Sequence, residues 1–230
     1  PGDLGCYIDE VSVAAREATF AKGGIYNGKE LASVFSSLRP NDLIWQYVVG
    51  NYLKGGKPPA FDVLYWNTDP TNLPGPFLVW YLRNMYLENN LRVPGKLTVC
   101  GTPVDLGKVD MPAFVLATKD DHIVPWRAAY ASRQLLTGPT TFVLGGSGHV
   151  AGVVNPAHSG KRGYRINAEP AADAESWLAG STEEKGSWWL AWSTWLAGHA
   201  GRRIACRGRL GTSQFPPIEP APGRYVKESA

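Results

Sequence analysis

Two runs, PAFVLATKDD (112–121) and TTFVLGGSGH (140–149), restrict the possible folds more than any other part of the sequence. Each is a short, continuous apolar stretch rather than an alternating one, as expected of a strand covered on both faces of a sheet. Between them, PWRAAYASRQLL (125–136) has helical apolar spacing, with Pro125 at a helix start, where its missing N–H does no harm. Strand, helix and strand in this order make a βαβ unit with a parallel strand pair. The first strand runs into acids and the second into a glycine-rich loop holding a histidine. In parallel sheets, functional groups gather beyond the carboxyl ends of the strands. Asp121 and His149 are therefore expected on neighbouring loops.

Such a pair has a chemical use. A carboxylate bonded to one imidazole nitrogen fixes the tautomer and leaves the other nitrogen to take a proton from a nucleophile. Acid followed by histidine, both behind a nucleophile, is the chain order of α/β-hydrolases. Plainer readings stand beside this one: Asp120 as a turn residue, Asp121 as a cap ahead of the helix, His149 as an ordinary loop histidine. His122, next to the acid, is a second candidate for handling protons, against a role as a helix-start residue. The nucleophile should precede Asp121 in a G-x-S-x-G or G-x-C-x-G turn, and the sequence contains neither. Cys6 has no glycine two places before or after it and no strand leading into it, and is read as a buried apolar thiol. Cys100 falls in a short β-prone segment, KLTVC (96–100), and Cys206 in the tail.

Composition removes several function classes. The formal net charge is only +3 with both signs interspersed, so no basic stripe is available for nucleic acid. Three cysteines without C-x-x-C spacing suit neither a disulfide framework nor a zinc site, and fit a reducing cytoplasm. No His/Cys/Asp cluster has metal-ligand spacing, and the chemistry requires no metal or cofactor. No apolar run nears the roughly 20 residues that span a bilayer.

The remainder divides into two parts. Residues 1–95 lack strand–helix alternation and read as a mostly helical cap region. Its helices are expected within 8–24, 27–40 and 41–53 (N-capped by Asn41 or Asp42), and again from about Pro76 after a proline-broken loop. Residues 96–230 read as the C-terminal part of an α/β core with an irregular tail. Within it, 159–167 is a polar excursion, and 172–181 and 187–201 are helical. Trp45, Trp66, Trp80 and Tyr81 are expected to pack between cap helices in preference to lining an apolar substrate path. Trp188, Trp192 and Trp195 share one helical face and are expected in a core first, with contact to an external apolar surface second. The chain opens with Pro1, and missing strands and nucleophile go with an expectation that it begins inside a longer protein.

Several stretches closely resemble the class I poly(3-hydroxyalkanoate) synthases: FSSLRPNDLIWQYVVGNYLKG (35–55), FDVLYWNTDPTNLPGPFLVWYLRNMYLENNL (61–91), VPGKLTVCGTPVDL (93–106), DDHIVPWRAAYAS (120–132), FVLGGSGHVAGVVNP (142–156), GSWWLAWSTWLAGHAG (186–201) and IEPAPGRYVK (218–227). The resemblance implies an α/β-hydrolase fold with a helical cap, incomplete on its N-terminal side because the nucleophile-bearing strands are absent. It implies polymerisation of (R)-3-hydroxyacyl-CoA, 3-hydroxybutyryl-CoA foremost, onto a growing polyester chain with release of CoA. The family works through a Cys-His-Asp triad, whose acid matches Asp121 and whose histidine matches His149. Its cysteine would lie upstream, so the chain alone is expected to be inactive. A homodimer through the cap region and a place in the cytoplasm at the polyester granule surface are implied as well. Two alternatives stay open: a thioesterase or depolymerase of the same fold, and an inactive dimerisation or binding fragment.

Overall fold

The computed structural model describes residues 3–58, 69–206, 208 and 210–228. Trp66 lies outside them. The chain divides into two compact units, Pro1–Ala15 with Trp80–Ala200, and Arg16–Val79 with Gly201–Ala230.

The first unit is organised by a four-stranded sheet in the order β5-β6-β7-β8: Ala113–Thr118, Thr140–Gly145, Gly163–Ile166 and Thr182–Lys185. Strands β5 and β6 are parallel and flush, with Ala113 opposite Thr140 and Thr118 opposite Gly145. Antiparallel β7 and β8 follow. Side chains alternate across a strand, so Val115, Ala117, Phe142 and Leu144 face one way. They meet Trp126 and Tyr130 of helix α4 (Trp126–Ser132) and Trp177 of helix α5 (Ala174–Ala179). Trp126 and Tyr130 are four residues apart and share one helix face. The rings of Tyr130, Phe142 and Trp177 pack within 4.8–5.8 Å of one another, with Phe142 edge-on to both partners. At about 25 cal/mol per Å², each such ring brings on the order of 4–6 kcal/mol of gross transfer free energy. Phe114 points to the opposite face, where Trp188 stacks on it and Trp195 of helix α6 (Trp189–His199) meets it edge-on. Both faces of β5 are thus covered, as its unbroken apolar run requires.

Two strands here have no apolar signature. The segment read as a polar excursion contains β7, and β8 is Thr-Glu-Glu-Lys, exposed along its length. Pairing makes β8 a strand: Arg165 stands opposite Glu183 and forms an ion pair with it at 3.1 Å. A charged strand also suits a sheet edge, because it discourages pairing with other chains.

KLTVC does not join this sheet. Thr98–Val99 (β3) folds back on Thr102–Pro103 (β4), and Cys100 sits in the connecting turn rather than in a strand. Cys100 and Gly101 have φ of 49° and 79°, the two left-handed positions of a tight hairpin turn. Cys6 also departs from expectation. It is exposed, because the single 3₁₀ turn Asp3–Tyr7 gives it no core to enter.

In the second unit, Ile25–Tyr26 (β1) pairs antiparallel with Leu73–Pro74 (β2). Helix α2 (Gly28–Leu38) is capped by Asn27, whose side chain accepts from the Lys29 N–H. Helix α1 spans Glu10–Phe20 and helix α3 spans Gly75–Tyr81. The helix over 41–53 starts from Pro40 rather than from a side-chain cap at Asn41 or Asp42, and is wound largely in π-type turns. Trp45 is exposed, not packed, and Trp80 and Tyr81 are partly so. Among the described residues, no helix is long and apolar enough to cross a membrane.

Candidate active site

The flush ends of β5 and β6 bring the two loops together. The ladder runs past both strands, with Lys119 N–H donating to the Gly145 carbonyl and Asp120 N–H to that of Ser147. Asp121 follows at once on one side and His149 on the other. His149 Nδ1 lies 2.8 Å from Asp121 Oδ2. The other carboxylate oxygen, Oδ1, accepts from the backbone N–H groups of Ile123 and Val124, both at 2.9 Å. Asp121 is therefore locked by its own turn, the local bonding to which Asp is suited. Thr118 Oγ1 lies 3.5 Å from Oδ2, at the limit of hydrogen bonding.

Burial works to raise the Asp121 pKa, but the N–H of Val124, the His149 imidazole and the N–H of Ile123 together outweigh it. The carboxyl is held below its ordinary value. An ionised Asp121 accepts only, so the Nδ1–H tautomer of His149 makes the contact and the Nε2 lone pair is left for a proton. The Asp121 side chain is only 9% exposed and that of His149 45%. A shielded acid holding a solvent-reachable imidazole can act as a general base.

His122 is half-buried in the same loop, ahead of α4. Asp120 is exposed in the turn. The three thiols, Cys6, Cys100 and Cys206, are all exposed. Among the described residues, the only side chain hydrogen-bonded to His149 is Asp121.

The turn that carries His149 demands a glycine at 152. A methyl there would stand 2.5 Å from Thr118 Cγ2 and 2.8 Å from the carbonyl oxygens of Gly146 and Gly148. Thr118 is fully buried and cannot step aside. Gly152→Ala is expected to cost about 1–3 kcal/mol of stability through overpacking. Denaturant unfolding measures it, and an unchanged midpoint would contradict this account of the turn.

Two contributors escaped the sequence reading. Trp188 and Trp189 donate their indole N–H groups to the carbonyls of Gly152 and Val153, in the His149 turn. Helical spacing assigns a tryptophan to a face, but it does not say where its nitrogen points. The hairpin at Cys100-Gly101 did leave a signal, two turn residues between short β-prone pieces.

A family profile described as alpha/beta hydrolase fold matches residues 11–156. The chain is 53% identical over its full length to the poly(3-hydroxyalkanoate) polymerase subunit of Cupriavidus necator. It is 43% identical over its full length to the poly(3-hydroxyalkanoate) polymerase of Methylorubrum extorquens, and 43% identical over 96% of its length to polymerase 2 of Ectopseudomonas oleovorans. It spans 40%, 38% and 39% of those three proteins, respectively. A mixed sheet with helices on both faces, its parallel pair ending in an acid and a histidine, agrees with that profile as an incomplete version of the fold. The chain belongs to the alpha/beta hydrolase fold family.

Proposed function

We propose that this chain supplies the acid and the histidine of a Cys-His-Asp triad in a polyhydroxyalkanoate synthase. The observation that carries the reading is the Asp121–His149 hydrogen bond, in a chain similar over its whole length to poly(3-hydroxyalkanoate) polymerases. The substrate is an (R)-3-hydroxyacyl-CoA, 3-hydroxybutyryl-CoA foremost, and the nucleophilic cysteine comes from a segment upstream of this chain. His149 Nε2 takes the thiol proton, and the thiolate attacks the thioester carbonyl. The C–S bond to CoA breaks, and the imidazolium returns the proton to the departing sulfur. The hydroxyl of the growing chain then gives its proton to Nε2 and attacks the cysteine-bound acyl group. One ester bond forms as the C–S bond to the cysteine breaks, and the imidazolium returns the proton to the cysteine sulfur.

Asp121 keeps the imidazole in the usable tautomer through both halves. The exposed Trp45, Tyr52 and Leu53 support a hydrophobic partner surface on the helix over 41–53, for which a second copy in a homodimer is the occupant. The enzyme works in the cytoplasm at the surface of the polyester granule. A second reading, an inactive binding piece, applies to the isolated chain because its sequence contains no G-x-S-x-G or G-x-C-x-G turn.

The test is CoA release from 3-hydroxybutyryl-CoA by the chain alone and by the chain joined to the upstream portion of a polymerase. No turnover is expected from the first, and turnover with polymer from the second. Release by the chain alone that disappears on Cys6→Ala would sink the proposal that the nucleophile is supplied from outside.

A further inference from the structure

We propose that Trp188 and Trp189 are positioning residues for His149, acting through the Gly152 and Val153 carbonyls; this rests on the reading of His149 as the base. His149 sits in a single helix-like turn, closed by Gly152 N–H to the Gly148 carbonyl and by Val154 N–H to that of Val150, both at 2.8 Å. So short a turn has no further turn to donate N–H groups to its last carbonyls, apart from Asn155 N–H, which reaches the Val153 carbonyl at 3.1 Å, and under-bonded carbonyls are where such a turn frays. The indoles supply the side-chain donors. Trp188 Nε1 lies 3.1 Å from both the Gly152 and the Val153 oxygens, and Trp189 Nε1 lies 3.0 Å from Val153 O.

The clamp is tied down at both ends. Trp188 is buried and stacks on Phe114 of β5, the strand that ends beside Asp121. Ser187, also buried, donates its hydroxyl to the Asn155 carbonyl and accepts from the Trp189 N–H at 3.1 Å. Buried Asn155 closes the far side of the loop, donating to the Lys161 carbonyl at 3.3 Å and accepting from the Ser159 hydroxyl at 3.3 Å. Beneath the turn, Gly152 rests on Thr118. The acid and the histidine are thereby referred to one strand: Asp121 through its covalent continuation, and His149 through Phe114, Trp188 and the clamped carbonyls. A loop fixed in this way holds the 2.8 Å contact that sets the tautomer. Packing alone accounts for the buried ring of Trp188. It does not account for Trp189, which is only half-buried yet aims its sole polar atom at the same carbonyl.

An indole is a donor only, so Trp→Phe removes the bond and keeps an aromatic ring. The experiment compares the full chain with Trp189→Phe, Trp188→Phe and Asp121→Asn, using nitrogen-15 NMR of labelled histidine to read the His149 tautomer and the exchange of its Nδ1 proton with water. Trp189→Phe is expected to speed that exchange about fivefold, the size one hydrogen bond supports, and to raise the Nε2–H tautomer, with thermal unfolding little changed. Trp188→Phe should do more. Because it also touches the core, Trp189→Phe decides the matter if Trp188→Phe fails to fold. A merely structural tryptophan would lower the unfolding midpoint without moving the tautomer, and that result overturns the proposal. A shift in Asp121→Asn with none in Trp189→Phe removes the clamp and leaves the acid–histidine pair standing. No shift in any variant removes both.

Discussion

His149→Gln in the joined enzyme is expected to cut polyester synthesis by about 10²–10⁴-fold, the range that a positioned base contributes. Glutamine keeps a hydrogen-bonding side chain of similar length, so Asp121 keeps a donor, but it cannot accept and return a proton near neutrality. The His149 side chain is 45% exposed and belongs to no core cluster, so the fold should survive. The two halves of the reaction should both suffer, since each moves a proton through Nε2 in the mechanism proposed above. Steady-state polymer formation beside single-turnover CoA release measures the two separately. Full polymer synthesis by this variant would remove His149 from the mechanism.

Asp121→Asn should separate those halves. The asparagine oxygen can still accept from the Ile123 and Val124 N–H groups, which turns its NH₂ toward His149 Nδ1. That forces Nδ1 to accept, places the proton on Nε2 and blocks the base. The equivalent change in a serine triad costs about 10⁴-fold. A thiol is more acidic and more nucleophilic than a hydroxyl, so it leans less on its base. Elongation, in which an alcohol must be activated, should therefore fall further than the first acylation. Equal losses in both steps would show the roles to be wrongly divided.

The same variant carries a pH signature. The carboxyl of folded Asp121 is held below its ordinary value, so the ionised group contributes stability that is fully present above the unfolded-state pKa. That contribution is lost as pH falls through the lower, folded value. Unfolding measured across the acid range should show a shallower loss of stability in Asp121→Asn than in the parent. Parallel curves would contradict the ionised, hydrogen-bonded carboxylate.

What could be read from the residues alone was whatever local pattern specifies locally. The runs at 112–121 and 140–149 read as strands covered on both faces, because each apolar stretch is continuous, too short for a typical helix and ends in turn-forming residues. Pro125 marked the start of α4, and the order of acid and histidine placed the pair at one end of a parallel sheet, where Asp121 and His149 lie 2.8 Å apart. The resemblance to the polymerases was equally legible, because it was carried by long segments. Tertiary structure decided the rest. Strand β8 is four polar residues that become a strand only because β7 offers them partners. Cys6 and Trp45 are exposed because burial depends on what surrounds a residue and not on its type. Trp188 read as packing and Trp189 carried no reading, because the direction of an indole N–H is set by the loop it meets, 35 and 36 positions away in the chain.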